Sequence, residues 1–164
     1  MTVAEYNKSV DEFSDGIYRF VLKNLKNEER ARDVVQDTYE KLWMKVDEVS
    51  AGRVKSYLFT AAYHTMIDMI RKEKRLTGFE TEKHDKPVHA DHYSGLAQIL
   101  EEAVAKLPAD QRSVIMLRDY EGYSYDEIAD ITGLAEGTVK SRLFHICKIL
   151  ANRLKHFHPY QIQD

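Results

Sequence analysis

A chain of 164 residues, 43% hydrophobic and 31% charged, has the make-up of a globular protein with room for one ordinary domain or two small ones. Its 7 glycines and 3 prolines argue against an all-β or low-complexity fold, and its single cysteine, Cys147, excludes an internal disulfide and a zinc knuckle. The formal net charge of -3 excludes a uniformly basic nucleic-acid binder, but not one whose cations are gathered in patches. Such patches exist: Arg71, Lys72, Lys74 and Arg75 form one, and Lys140, Arg142, Lys148, Arg153 and Lys155 another. Acidic residues crowd the first half of 28–48 and the stretch 119–130, leaving surfaces suited to a protein partner. The apolar runs are short and broken by charge, and MTVAEYNKSVDEF has no basic segment leading into an apolar one. Neither a membrane span nor a signal peptide is expected, and the expected location is cytoplasmic.

The first periodic segment is VDEFSDGIYRFVLKNL, residues 10–25, where Val10, Phe13, Ile17, Phe20, Val21 and Leu25 recur at helical spacing. EERARDVVQDTYEKLWMKV follows, with Val34, Val35, Thr38, Leu42 and Val46 on one stripe and Arg32, Asp33, Gln36, Asp37, Glu40 and Lys41 on the other side. A third helix is predicted from about Val54 to Arg75, aromatic near its start and cationic at its end, where cations complement the helix dipole. These three helices make a first small domain.

The stretch LTGFETEKHDKPVHADHYSG, residues 76–95, has no sustained period and reads as a linker. Its His84, His89 and His92 have no cysteine and no regular spacing, so they read as solvated histidines and no metal is expected. Helical periodicity resumes with LAQILEEAVAKL, and Pro108 is expected in the first turn of the next helix, PADQRSVIMLRDYEG, where its missing amide costs little.

After Gly122, Ser124 with Glu127 three residues on is a capping box that starts a short helix carrying Ile128, Ala129 and Ile131 inward. Thr132 and Gly133 end it, Gly133 supplying the left-handed turn. A second helix starting near Ala135 or Glu136 points Val139, Leu143, Ile146 and Leu150 at the first, the spacing of a helix-turn-helix. Its outer face carries Thr138, Lys140, Ser141, Arg142, Phe144 and His145. On these residues alone, a face that enters the major groove and an ordinary solvated face are equally consistent.

GTVKSRLF, preceded by YSYDEIADITGL and LPADQRSVIMLRDYEG, resembles the C-terminal promoter-binding region of bacterial RNA polymerase sigma factors of the extracytoplasmic-function group, in the sigma-70 superfamily. ARDVVQDTYEKLW resembles that family's core-polymerase-binding helix, and SYLFTAAYHTMIDMIRKEKR its promoter-melting helix, in the same order. The resemblance implies an all-α protein of two small helical domains: residues 1–75, binding polymerase and the melting element, and residues 96–158, with a helix-turn-helix for the distal element. Residues 76–95 would join them and 159–164 form a tail.

It further implies that Asp33, Gln36, Asp37 and Glu40 face core polymerase, with Trp43 supporting the helix from its less polar side. Arg30 and Lys41 read instead as solvated charges. Arg53, Lys55, Tyr57, Tyr63, His64, Arg71, Lys72 and Arg75 would hold the melted strand through stacking and a basic track, Tyr57 being equally consistent with a core role. Thr138, Lys140, Ser141, Arg142, Phe144 and His145 would read the distal element. Relatives commonly have Arg and Asn where this chain has Thr60 and His64, and a further Arg pair where it has His145, Ile146 and Cys147. Cys147 itself reads as a small semi-buried packing residue.

The implied partners are core RNA polymerase, promoter DNA and an anti-sigma factor of the kind commonly tethered to the inner membrane. No catalytic residue, cofactor or small-molecule substrate is expected. The alternatives are a dimeric helix-turn-helix regulator, for which the first half supplies neither a dimer interface nor a sensor, and an enzyme, for which no phosphate loop or nucleophile motif is present.

Overall fold

The computed structural model describes residues 1–77 and 95–155, and every regular element among them is helical. Helix α1 spans Val3–Leu25 and begins well before the first apolar repeat at Val10. Its start is set by a capping box, in which the Thr2 side chain accepts from the Glu5 amide and the Glu5 carboxylate accepts from the Thr2 amide. It ends at Lys26, which takes the left-handed conformation (φ 55) so that its amide reaches the Leu22 carbonyl at 2.7 Å. Asn27 then caps α2, Glu28–Met44, by accepting from the Arg30 amide. A two-residue corner thus reverses the chain.

A 3-10 turn, Ala51–Arg53, leads into α3, Val54–Thr77, which continues two residues beyond the expected end at Arg75. The expected linker over 76–95 is therefore shorter at both ends, since Leu76 and Thr77 belong to α3 and Gly95 opens α4. Residues 78–94, with His84, His89 and His92, lie outside the described residues, as do 156–164 and the expected tail. Helix α4 is Gly95–Ala105, α5 Ala109–Asp119, α6 Tyr125–Thr132 and α7 Glu136–Leu154. Pro108 is the N-cap of α5 rather than a first-turn residue; its ψ of 148 is extended, so the helix begins one residue later than expected.

Helices α1, α2 and α3 pack around Ile17, Phe20, Val21, Val34, Leu42, Leu58, Ala62 and Met66. Helices α5, α6 and α7 pack around Val114, Leu117, Ile128, Ile131, Val139, Leu143 and Ile146. These are not two separate cores. Helix α3 lies on α6 and α1 on α5, so the two halves share one apolar interior. An edge-to-face train crosses the seam, with Phe59 5.7 Å from Phe20 on one side and 5.7 Å from Tyr123 on the other.

The seam also holds a buried cation. Arg112 on α5 is 8% exposed, and its guanidinium donates to the carbonyls of Lys23 (3.2 Å) and Asn24 (3.3 Å) in the last turn of α1 and of Leu107 (2.7 Å). Those α1 carbonyls have no partner within their own helix and lie at the negative end of its dipole, so Arg112 closes a helix end that belongs to the other half. Beside it the Ser113 hydroxyl donates to Asn24 Oδ1 at 3.3 Å. The amide of Asn24 reaches Met116 Sδ at 3.6 Å.

Truncating the middle ring of the train tests this shared interior. Phe59→Ala is expected to cost about 3–5 kcal/mol of unfolding free energy. Hydrogen exchange should show amides of α5 and α6 losing protection together with those of α1 and α3; loss confined to α1–α3 would contradict a shared core.

Candidate nucleic-acid interface

Helix α2 turns its acidic side outward because Ala31, Val34, Thr38 and Leu42 occupy the inner positions of the same helix. Asp33, Gln36 and Glu40 are exposed, with the Gln36 amide 3.5 Å from Glu40 Oε1. Asp37 is half-buried and paired with Lys41 at 3.0 Å, and Lys41 also donates to Thr65 Oγ1 on α3 at 2.9 Å. Lys41 is therefore not simply solvated. Nor is Arg30, which pairs with Glu73 near the end of α3. Trp43 remains 49% exposed and rests edge-on against Tyr6, 5.1 Å between ring centres. Tyr6 and Tyr39 cross-link the first two helices, the Tyr6 hydroxyl donating to the Tyr39 carbonyl (3.2 Å) and the Tyr39 hydroxyl to the Ser9 carbonyl (2.8 Å). The acidic row, the Trp43 ring and exposed Met44 thus form one rigidly mounted surface.

The residues predicted for the melted strand are not all on one free face. Arg53, Arg71, Lys72 and Arg75 are exposed. Tyr57 is half-buried against the core, its hydroxyl 3.4 Å from the Lys41 carbonyl. Lys55 lies over the Tyr123 ring at 5.1 Å. Tyr63 is only 5% exposed, beside the exposed ring of His64 at 5.3 Å. Thr60 spends its hydroxyl on the Ser56 carbonyl at 2.7 Å.

The helix-turn-helix is built as its local chemistry dictates. Ser124 and Glu127 form the capping box of α6, and Gly133 takes the left-handed conformation (φ 74), its amide reaching the Ala129 carbonyl at 2.9 Å. Val139, Leu143 and Ile146 are buried under α7, while Thr138, Lys140, Ser141, Phe144 and His145 are exposed, Phe144 at 65%. Unlike α6, α7 starts at Ala135 with no side-chain cap. Its first amides are left for another acceptor.

Lys140 pairs with Glu136 at 3.3 Å, and Arg142 is drawn inward by Asp110 of α5, Nη1 to Oδ2 2.8 Å. Sequence reasoning missed Asp110, which lies 32 positions from Arg142, and Thr65, because no local pattern announces either contact. It also missed Arg118, whose guanidinium donates to the Tyr123 carbonyl (3.0 Å) and lies over the Tyr125 ring (4.8 Å), bracing the turn into α6. Cys147 is exposed rather than semi-buried, because Leu143 and Ile146 already fill the inner side of that turn. Among the described residues no group of three His, Cys, Asp or Glu is placed to hold a metal, and no helix is long and apolar enough to cross a membrane.

Two family models match the chain: sigma-70 region 2 over residues 10–76 and sigma-70 region 4 over residues 97–150. The RNA polymerase sigma factor SigV of Bacillus subtilis is 30% identical over 148 residues, covering 88% of each chain. The ECF RNA polymerase sigma factor SigL of Mycobacterium tuberculosis is 31% identical over 147 residues, covering 85% of this chain and 83% of that one. A solved structure of the sigma factor RpoE in complex with the anti-sigma factor NepR, from Bartonella quintana, superposes with a TM-score of 0.78 at 29% identity, covering 95% of this chain and all of that chain. The chain belongs to the extracytoplasmic-function family of RNA polymerase sigma factors. That family consists of transcription initiation factors, not enzymes.

Three buried phenols give the site and its seam a pH dependence. Burial pushes the hydroxyls of Tyr39, Tyr63 and Tyr123 above their ordinary value of 10.0; Asp110 adds to the shift at Tyr63, and Arg142 and Arg71 oppose it. Above that pH the unfolded chain loses these protons first, so the phenols' contribution to stability should be flat below about pH 10 and then fall by up to about 1.4 kcal/mol per pH unit for each phenol. Denaturant titrations at rising pH should give a shallower fall for Tyr39→Phe than for the parent chain.

Proposed function

We propose that this chain directs core RNA polymerase to promoters through three surfaces, as a noncatalytic specificity subunit acting in the cytoplasm. Residues 1–75 bind polymerase with Asp33, Gln36, Asp37 and Glu40, and engage the minus-ten element with α3. Residues 96–158 read the minus-thirty-five element, and the stretch between α3 and α4 connects the two. The observation that carries this reading is α7: an uncapped amino end presenting Thr138, Lys140 and Ser141 to solvent, on a helix-turn-helix whose other helix is fully capped. Lys140 and Arg142 are suited to guanine edges, and the free amides to phosphate.

The row on α2 suits a basic partner helix, with Trp43 and Met44 adding exposed apolar area beside it. On α3 the cations Arg71, Lys72 and Arg75 form the electrostatic track and His64 a ring available to a base. Control by an anti-sigma factor is the regulation that fits, as the Bartonella quintana sigma factor matched above was solved with NepR.

A single-round transcription assay with purified core polymerase and a genomic fragment library tests the assignment. Transcript starts should share a two-element promoter upstream. Asp33→Ala with Asp37→Ala should weaken core binding at least tenfold without affecting folding. Lys140→Ala with Arg142→Ala should leave core binding intact and lower initiation about 5- to 150-fold, the equivalent of roughly 1–3 kcal/mol of lost base reading. No stimulated initiation and no core binding would overturn the assignment.

A further inference from the structure

Of the two α7 cations assigned above to the distal element, Arg142 is mounted unlike Lys140. Its Nη1 donates to Asp110 Oδ2 at 2.8 Å, between two helices and across 32 positions of sequence. Lys140 pairs with Glu136, one turn back on its own helix, at 3.3 Å, and both of those side chains are about half exposed. A pair of that kind exchanges readily with water and salt. Arg142, with 30% of its side chain exposed, is held more closely and still reaches solvent.

The carboxylate that holds it is itself anchored. Asp110 lies in the first turn of α5, whose N-cap, Pro108, supplies no side-chain cap. Its Oδ1 accepts from the Gln111 amide at 3.0 Å, and the positive end of the α5 dipole favours a negative charge there. Oδ1 is thus tied to backbone, and Oδ2 is turned to the guanidinium. On α7, side chains lean toward the amino end of their helix, the end whose first amides are uncapped. Arg142 follows Thr138 by one turn, and its guanidinium carries more donors than Asp110 uses, enough for the paired acceptors of a guanine edge.

An arginine fixed before DNA arrives loses less side-chain freedom on binding, so more of its hydrogen bonding to a base appears as affinity. The carboxylate also offsets its charge, so the pair attracts phosphate weakly while keeping its directional donors. In a wrong register Asp110 faces phosphate without the guanine that Arg142 needs, and the misfit is penalised. Each effect favours choice among bases over general attraction to DNA.

We propose that Asp110 is a positioning residue for promoter selection: it orients Arg142 toward a guanine edge in the distal element and restrains it from indiscriminate phosphate binding. The inference deepens the sigma-factor reading above and rests on it. Asp110 acts through Arg142 and needs no DNA contact of its own.

The test uses holoenzyme assembled from core polymerase and the full chain. Its binding is measured to a promoter duplex recovered from the genomic library and to duplexes with each base pair of the upstream element substituted in turn. The parent should lose affinity about 5- to 150-fold at one guanine position. Asp110→Asn should reduce that discrimination severalfold and steepen the log-log salt slope by roughly 0.9, as Arg142 turns to a phosphate. Asp110→Ala, which leaves Arg142 no acceptor there, should act at least as strongly. Arg142→Met should abolish the discrimination, and adding Asp110→Asn to it should change nothing further. Discrimination unchanged in both Asp110 variants, an Asp110 effect that persists beside Arg142→Met, or a parent that distinguishes no guanine would overturn the positioning role alone. A parent chain that neither binds core polymerase nor stimulates initiation would overturn the sigma-factor reading beneath it.

Discussion

A guanidinium withdrawn from water is tolerated only where its donors find acceptors, and Arg112 finds two at the open end of a helix in the other half of the chain and a third at Leu107 in its own. This exchange solves two problems together, since α1 needs donors for its last carbonyls and α5 needs somewhere to put a charge. The rest of the seam follows from it. With α5 held against the end of α1, Ser113 and Met116 meet Asn24, and the turn before α6 brings Tyr123 onto Phe59. The position of the helix-turn-helix against α3 is therefore decided some distance from the residues proposed to read DNA.

The acidic row of α2 and the cationic end of α3 are linked by a similar economy. Lys41 joins Asp37 to Thr65, and Arg30 joins the start of α2 to Glu73, so the acidic face and the cationic end of α3 are carried on two helices pinned at both ends. Exposed ion pairs of this kind contribute little stability, typically well under about 1 kcal/mol each. Their effect here is orientation: they fix which carboxylates of α2 remain free to meet a partner.

What could be read from the residues alone was what local chemistry determines. Ser124, Glu127 and Gly133 defined α6 and its turn because a capping box and a left-handed glycine act within a few positions, and the inward set Val139, Leu143 and Ile146 followed from helical period. The early start of α1 was missed since Thr2 and Glu5 precede the apolar repeat that marks the helix. Tyr63 illustrates the limit: an aromatic on a basic helix has the same appearance whether it waits for a base or is buried by a second domain. Arg142 looked free on α7 because nothing near it in sequence foretells Asp110. The sharing of one interior by both halves had no sequence signal at all, as each half shows complete amphipathic patterns of its own.

The bare start of α7 carries a consequence for how this protein can be improved. Asp, Ser or Asn in place of Ala135 would satisfy an orphan amide and stabilise the helix by about 1 kcal/mol. The same side chain would occupy the acceptor position that the proposed reading gives to a phosphate, and an aspartate would repel one. On that reading, thermal robustness and promoter affinity compete for one backbone donor, and selection for a hardier protein at this position would select against the proposed reading of DNA.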